Sequence, residues 1–240
     1  MISILVFLLP SVLSVKLLKL LGADIGENVK IGFTLITSPT INIGDNVRIG
    51  HFNLILNKSI NLESKSNIGY LNVLKGPFNL VLHKRAAIGN KNYITRADQG
   101  VTYGESKLEL GFLTKITVGH HLDLTRSIKF GDYSILAGIG SQIWTHGYVH
   151  ASKGAERFRV DGGVEIGDNV YIGSGCIFNP GVKVFNEVHL GAGSVISKDL
   201  IDKGMYVNQS LRLVKQDYDK IKEKLTKVEE ENLVEEVYTK

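Results

Sequence analysis

The sequence predicts an all-β solenoid, and three observations lead to that fold class. A pair made of an aliphatic residue and glycine recurs in steps of six residues, as in IGENVK, IGFTLI and IGDNVR. Three such hexads form a larger repeat, whose clean spacing of 18 residues separates Ile25 from Ile43 and Ile166 from Val184. The 3.6-residue period of an amphipathic helix does not fit these segments. Each coil is therefore a triangle with one hexad on each side, and its aliphatic residues stack on those of the next coil.

The repeat predicts about eight triangular coils within residues 23–206. Longer spacings mark inserted loops, and the longest insertion is predicted at 145–164. The small second residue of each hexad, usually glycine, is interpreted as a corner residue that needs positive φ. The predicted first residues of the coils are Ile25, Ile43, Leu62, Leu82, Leu110, Phe130, Ile166 and Val184.

A helix is predicted over residues 1–22, where leucines 13, 17, 20 and 21 share one helical face. The uncharged run at its start is shorter than the roughly 20 residues that a membrane-spanning helix needs, and Pro10 interrupts it. The segment also lacks the charged start and the cleavage site of a signal peptide. The helix is expected to pack on its own protein or to lie on a membrane surface, and a true membrane span is the least favoured of the three alternatives.

A second helix is predicted over residues 207–240, because apolar residues there step by four and three. The segment covers fewer than three heptads, so a short coiled coil and a single helix docked on the solenoid both fit. The seam consists of Val214, Tyr218, Ile221, Leu225, Val228 and Asn232.

Composition narrows the class of protein. The 240 residues are 43% hydrophobic and 22% charged, which is typical of a globular protein and not of a disordered one. The net charge of +4 is scattered without a basic run, so no nucleic-acid partner is expected. The single cysteine, Cys176, allows no internal disulfide and fits a reducing compartment. The predicted location is cytoplasmic, with peripheral contact to the inner face of the membrane through residues 1–21.

Two phrases, IGDNVYIGSGCIFNPGVKV and LGAGSVISKD, resemble the hexapeptide-repeat acyltransferases, in particular the maltose and galactoside O-acetyltransferase branch. The resemblance covers most of the chain from Ile25 to Asp199, and the opening LLP…LLKLLGADIG is similar to enzymes that acetylate surface polysaccharides. It implies a left-handed parallel β-helix, a homotrimer with active sites between subunits, acetyl-CoA as co-substrate and no metal. The predicted function is acetylation of a sugar in a bacterial surface polysaccharide, such as lipopolysaccharide, or in its precursor. O-acetylation is favoured over N-acetylation.

Acyl transfer to a hydroxyl needs a base for the acceptor proton, and histidine suits this task. His146 stands where QIWTH breaks the repeat, and it matches the family's catalytic histidine. Asp123, one coil earlier, matches an aspartate of the acceptor pocket and is predicted to be its catalytic partner. His120 and Trp144 are the predicted contacts to the acceptor.

The resemblance also assigns residues to the acyl donor. Ser174 and Ala192 match positions that line the thioester and pantetheine. Ser197 and Lys198 match positions near the nucleotide phosphates, where a cation is complementary. The family's proline-containing turn is absent from VNQSLR, so Arg212 is the predicted terminal cation.

Two other functions are compatible with a β-helix. A metal lyase of the γ-carbonic anhydrase type would use His120 or His121 with His146 and His150 as zinc ligands. A non-catalytic scaffold would need none of these side chains. Both alternatives leave the GSG, GAGS and SKD phrases unexplained, so the acyltransferase is the leading prediction.

Overall fold

The chain from residue 24 to residue 206 winds as a parallel β-solenoid with triangular coils. The computed structural model describes residues 7–98 and 100–208, together with 223, 226–227 and 238–239. Each coil has one strand on each side of the triangle, and each strand pairs in parallel with its equivalent in the next coil. Eight complete coils and the start of a ninth confirm the predicted all-β solenoid.

The three sides are named face A, face B and face C, in the order in which the chain meets them. Face A consists of β1 (Asp24–Ile25), β4 (Thr40–Ile43), the second halves of β6 (Leu54–Leu62) and β8 (Val73–Leu82), β11 (Lys107–Leu110), β14 (Ile128–Phe130), β19 (Val164–Ile166) and β22 (Lys183–Val184). Face B consists of β2 (Lys30–Ile31), β5 (Arg48–Ile49), β7 (Asn67–Ile68), β9 (Ala87–Asn90), β12 (Lys115–Val118), β15 (Ile135–Ile139), β20 (Tyr171–Ile172), β23 (Val188–Leu190) and β25 (Gly204–Tyr206). Face C consists of β3 (Leu35–Thr37), the first halves of β6 and β8, β10 (Tyr93–Thr95), β13 (His121–Asp123), β16 (Gln142–Ile143), β21 (Ile177–Phe178) and β24 (Val195–Ile196).

The core consists of aliphatic and aromatic side chains stacked in columns, one column for each face. Every predicted coil start is the last residue of a face A strand, and all eight are buried. Faces B and C contribute equivalent columns, because the parallel register places like residues above one another. Burying such a side chain contributes about 1.5 to 3 kcal/mol, so the columns are the main stabilising feature of the solenoid.

The repeated glycines serve a different purpose from the predicted one. The second-position glycines have no positive φ; the left-handed conformation occurs two residues later, as at Asn28, Asn46 and Asn169. A Cβ on Gly89 would lie 2.1 Å from the Thr117 carbonyl oxygen of the next coil. These positions are therefore glycine because adjacent coils approach too closely for a side chain, and the interpretation as positive-φ corners is wrong.

Helix α1 (Ser11–Leu20) follows Pro10 and packs on the first coil. Ser14 and Leu18 face the solenoid, so the helix covers the end of the core. The predicted apolar face is divided: Leu17 packs against the core, whereas Leu13, Leu20 and Leu21 are exposed, as is Val12 beside them. Nowhere in the described chain is a helix both long and apolar enough to cross a bilayer.

The chain divides into two compact units, Met1–Asn208 and Gln209–Lys240. In the second unit the structure describes only five residues, four of which form the short antiparallel pair of β26 (Thr226–Lys227) with β27 (Tyr238–Thr239). These four residues are extended, at positions where the sequence predicts a helix. The heptad seam lies outside the described residues.

Two insertions leave the solenoid where the chain turns from face C to face A, here called the C–A corner. One is the loop 96–106, between β10 and β11. The other occupies 144–163, one residue earlier at each end than predicted, and contains an antiparallel hairpin of β17 (His146–His150) and β18 (Arg157–Asp161). The Arg159 guanidinium pairs with Asp161 and donates to the Val101 carbonyl oxygen at 2.6 Å, so the two insertions are in contact.

Candidate active site

The clearest catalytic geometry in the described chain is an aspartate–histidine pair at the C–A corner. Asp123 is the last residue of β13, and His146 is the first residue of the hairpin one coil later. The His146 Nδ1 atom lies 2.8 Å from Asp123 Oδ2. The structure therefore brings together the two residues that the sequence predicts as catalytic.

Two threonines hold the Asp123 carboxylate in place. Thr125 donates to Oδ1 from its hydroxyl at 2.9 Å and from its backbone N–H at 3.2 Å. Thr145 donates to Oδ2 from its hydroxyl at 2.8 Å and from its backbone N–H at 3.1 Å. With His146, five donors surround a carboxylate that is only 7% exposed.

These donors fix the ionisation state of Asp123. Burial by itself would raise its pKa, but the hydrogen bonds from His146, Thr145 and Thr125 outweigh burial and lower the pKa below its usual value. The side chain is therefore an ionised acceptor at neutral pH. An ionised acceptor places the imidazole proton on Nδ1 of His146 and leaves the Nε2 lone pair free. Among the described residues, none hydrogen-bonds to Nε2, which is the arrangement that a general base requires.

A row of aromatic rings lies on face C next to the His146–Asp123 pair. Trp144 lies 4.9 Å from His121 between ring centroids, and its edge faces His146 at 6.4 Å. Tyr93, one coil below, lies 5.1 Å from His121. The Trp144 Nε1 donates to Gln142 Oε1 at 3.0 Å, which fixes the indole. The rings form a partly exposed surface beside His146. Trp144 is the predicted acceptor contact among them, whereas the sequence analysis assigns no acceptor contact to His121 or Tyr93.

His120 does not contact this surface, so its prediction as an acceptor contact is corrected. It is 1% exposed and continues a buried ladder of Asn53, Asn72 and Asn92 at the turn from face B to face C. Its Nδ1 accepts from the Ser141 N–H at 3.2 Å, and its Nε2 lies 3.0 Å from the Thr117 hydroxyl. Burial lowers the pKa of His120 to about 4, so the ring is neutral.

Strand alternation could have identified the right histidine. Leu122 points into the core, and alternate residues of a strand point to opposite sides, so His121 must point outward. The sequence did not identify Thr125 and Thr145 as donors to Asp123. Thr145 lies 22 residues after Asp123, and the two residues meet only because consecutive coils stack. The hairpin was missed because the insertion shows no tight-turn signature.

The residues predicted to bind the acyl donor lie at both edges of face C. Ser174 and Ala192 stack at the turn from face B to face C, the edge opposite to His146. Ser197 and Lys198 are exposed at the C–A corner, two coils from His146. One chain therefore does not bring Ser174 and Ala192 next to the base. Arg212 lies outside the described residues.

The metal-lyase alternative finds no ligand set in the part of the chain that the structure describes. No three side chains of the His, Cys, Asp and Glu type come together there as ligands for one ion. His120, a required member of one predicted set, uses both ring nitrogens in the buried ladder.

Comparison with known proteins agrees with this fold. Residues 163–198, within the last two complete coils, match the family described as bacterial transferase hexapeptide (six repeats). The bifunctional protein GlmU of Pseudoalteromonas atlantica is 24% identical over 196 residues, or 76% of this chain and 38% of that protein. The chain thus spans little more than a third of this relative.

Two solved structures share the architecture. The UDP-N-acetylglucosamine acyltransferase of Campylobacter jejuni gives a TM-score of 0.54 at 18% identity, over 84% of this chain and 77% of that one. The polySia specific acetyltransferase NeuO gives 0.52 at 16% identity, over 81% and 82%. These two structures confirm the predicted β-helix fold, and the family match over residues 163–198 confirms the resemblance to the hexapeptide-repeat transferases.

Proposed function

We propose that this protein is an acetyl-CoA-dependent O-acetyltransferase that acts on a sugar of a surface polysaccharide or its precursor. The observation that carries the proposal is the His146–Asp123 pair, with the Nε2 atom of His146 free at a corner lined by Trp144 and His121. Sugar hydroxyls are scarcely ionised at neutral pH, so transfer to them depends on such a base. NeuO and the C. jejuni enzyme, whose names specify carbohydrate acceptors, share the fold.

In the proposed reaction, Nε2 of His146 takes the proton of the acceptor hydroxyl as its oxygen attacks the thioester carbonyl. The tetrahedral intermediate then expels the coenzyme A thiolate, which takes the proton from the imidazolium. Asp123 stabilises the imidazolium and holds the ring in one orientation. Trp144, His121 and Tyr93 offer flat surfaces on which a sugar ring can stack.

The test is release of free thiol from acetyl-CoA by the purified protein, measured with a panel of neutral, acidic and amino sugars. We expect transfer to a hydroxyl acceptor by the wild-type protein and its loss in the His146→Ala variant. Absence of acyl transfer from acetyl-CoA and from longer acyl-CoAs, with no coenzyme A binding, would overturn the proposal and favour a scaffold.

We also propose a homotrimer in which face C packs near a neighbouring copy. The outward positions of faces A and B are largely polar or charged, whereas face C carries an outward apolar column that includes Leu54, Val73, Ile177 and Val195. A second copy would also place its Ser174 and Ala192 near the His146 of the first. Apolar surfaces of this kind are typical of subunit interfaces.

The oligomer prediction is tested by sedimentation. Wild-type protein should have about three times the mass of one 26.4 kDa chain. Val73→Glu should give a monomer, because a charge would be buried in the interface, whereas Lys115→Glu on face B should leave the mass unchanged. A wild-type monomer at micromolar concentration that is fully active would contradict the proposal.

Coenzyme A is proposed to bind with its pantetheine along Ser174 and Ala192 and its phosphates near Ser197 and Lys198. Lys198 is exposed, and no described residue forms an ion pair with it. Lys198→Glu should weaken coenzyme A binding at least about tenfold in calorimetry, since hydrogen bonds to charged groups contribute about 1.5 to 3 kcal/mol. Lys203→Glu, an exposed lysine paired with Glu187, is the control. Equal coenzyme A affinities in the two variants would show that the phosphates do not bind near Lys198.

The outward face of α1 is proposed to lie on the inner surface of the cytoplasmic membrane. It exposes Val12, Leu13 and Leu20, with Lys16 and Lys19 available to anionic lipid headgroups. The bilayer is the occupant that this combination favours, because apolar side chains and cations then both find partners.

Vesicle binding tests this proposal. Val12→Gln with Leu20→Gln should weaken binding to vesicles containing phosphatidylglycerol at least about tenfold, because each buried apolar side chain contributes about 1.5 to 3 kcal/mol. Ile201→Gln with Met205→Gln is a matched control: these side chains are 65% and 72% exposed, against 67% for Val12 and 85% for Leu20. Equal binding by both double variants would refute membrane contact through α1.

A further inference from the structure

Arg96 is a buried cation that forms no ion pair with a carboxylate of the described residues. It is 6% exposed and lies at the C–A corner, directly after β10. Its Nη1 donates to the Pro77 carbonyl oxygen at 2.7 Å, and its Nη2 donates to the carbonyl oxygens of Tyr103 and Gly104 at 3.0 and 2.9 Å. Its Nε finds no acceptor among the described residues. Carbonyl groups satisfy N–H donors but do not neutralise the charge. The nearest carboxylate, Glu105, raises the pKa of Arg96 through its charge but is itself paired with Lys58. A buried charge without a counter-ion in direct contact is costly.

A cavity of about 300 Å³ lies against Arg96. Lys58, Thr102 and Glu105 also line it. Its volume equals that of roughly ten water molecules, so an oxyanion fits together with the group to which it is attached. The cavity is therefore large enough to hold the counter-ion that Arg96 lacks.

The surroundings of the cavity carry excess positive charge. Arg126 donates to the same Tyr103 carbonyl oxygen as Arg96, at 3.3 Å, so the two guanidinium groups are close together. Burial first, and then the charge of Arg126, lower the pKa of Arg96. Lys58 also lines the cavity, where it pairs with Glu105, the one carboxylate among the described lining residues. This pair is neutral overall, so Arg96 in the lining and Arg126 next to it leave a net positive charge, which favours an anionic ligand.

The cavity lies on the same corner as His146. Thr95, which precedes Arg96, is the register partner of Asp123 in the next coil. The backbone N–H of Arg126 donates to the hydroxyl of Thr145 at 2.8 Å, and Thr145 directly precedes His146. Adjacent strands are about 4.8 Å apart, so two coils place Arg96 roughly 10 Å from His146 along the solenoid axis. Arg96 lies at the end of the cavity nearer to His146, because Pro77 and Lys58 are one and two coils farther away. An acceptor that occupies both positions must therefore span at least roughly 10 Å.

We infer that the Arg96 cavity binds an anionic group, a carboxylate or a phosphate, of the acceptor whose hydroxyl His146 deprotonates. The inference rests on the proposed function for the identity of the ligand as acceptor, but the anion site itself does not depend on catalysis. Substrates would accordingly be acidic or phosphorylated sugars, and neutral sugars would bind more weakly.

Binding of glucuronate and of inorganic phosphate to the full-length protein tests the site by calorimetry. Lys58→Gln should weaken anion binding at least fivefold, and Glu105→Gln should strengthen it at least threefold, a gain that misfolding does not produce. The matched controls are Lys183→Gln and Glu165→Gln, because Lys183 and Glu165 also form an ion pair and Lys183 is 49% exposed against 50% for Lys58. The controls should stay within twofold of the wild type.

The two probes identify the source of the anion. Tighter binding of glucuronate points to an acidic sugar, and tighter binding of phosphate points to a phosphorylated one. Absence of binding by both, or equal effects of Lys58→Gln and Lys183→Gln, would overturn the anion site.

Kinetics test whether the anion belongs to the acceptor. Lys58→Gln should raise the KM of the preferred anionic acceptor at least fivefold and leave that of a neutral sugar unchanged. An unchanged KM for the anionic acceptor would overturn this part of the inference. If no acceptor is acetylated at all, the proposed function fails, while the calorimetry still decides whether the cavity binds anions.

Discussion

Replacing His146 with alanine should lower the turnover of acetyl transfer by about 10² to 10⁴, the usual contribution of a positioned general base. The physical reason is that Nε2, left free by the bond from Nδ1 to Asp123, is the proposed proton acceptor at this corner. The measurement is steady-state release of coenzyme A at saturating acceptor. Coenzyme A affinity should stay within about twofold, because the donor residues lie elsewhere.

Two controls accompany this variant. His150→Ala removes an exposed histidine at the far end of the same strand and should leave turnover within about twofold. The free energy of unfolding of His146→Ala should change by about 1 kcal/mol or less, because the side chain is partly exposed. Near-normal turnover in His146→Ala would refute the assignment and point to His121, the other histidine beside Trp144.

Replacing Asp123 with asparagine should have the second large effect, a loss of about 10³ to 10⁴ in turnover. The amide no longer stabilises the imidazolium, and its NH2 group faces donors from Thr125, Thr145 or His146. Because Asp123 acts through His146, it is a positioning residue. Its variant should therefore change the pH–rate profile and lower kcat, with little change in the KM for acetyl-CoA.

The same substitution should reduce stability by about 1 to 3 kcal/mol at neutral pH, because buried donors lose their acceptor. The pKa of Asp123 is lower in the folded state than in the unfolded chain, so its stabilising contribution is complete above the unfolded pKa of about 3.9. That contribution disappears as the pH falls through the folded pKa. The difference in unfolding free energy between wild type and variant should thus shrink below about pH 4.

Thr125→Val is the milder control for this network. It removes one hydroxyl, which donates to Asp123 and also lies 3.2 Å from His146 Nδ1, but leaves the bond between Asp123 and His146 and both bonds from Thr145. Turnover should fall by less than about tenfold. A loss equal to that of Asp123→Asn would show that the carboxylate acts by holding the two coils together and has no special relation to His146.

The hexad repeat was sufficient to predict the solenoid and the residues at which its coils begin. The eight predicted coil starts are all buried at the ends of face A strands, because a fixed hexad period leaves a side chain one way to stack on the next coil. The resemblance to the hexapeptide-repeat acyltransferases also pointed to His146 and Asp123, and the structure places their side chains 2.8 Å apart. The sequence did not explain the glycines, because the clash that excludes a Cβ exists only between neighbouring coils.

Which polar side chains contact one another follows only from the tertiary structure. His120 and His121 are adjacent in the chain, yet one continues a buried asparagine ladder and the other stacks on Trp144. Thr125, Thr145 and the buried charge of Arg96 acquire their roles from loops of irregular length that fold back on the C–A corner. A period specifies where regular residues stack, but the contacts of inserted loops depend on chain segments far apart in sequence, and so only the packed structure determines them.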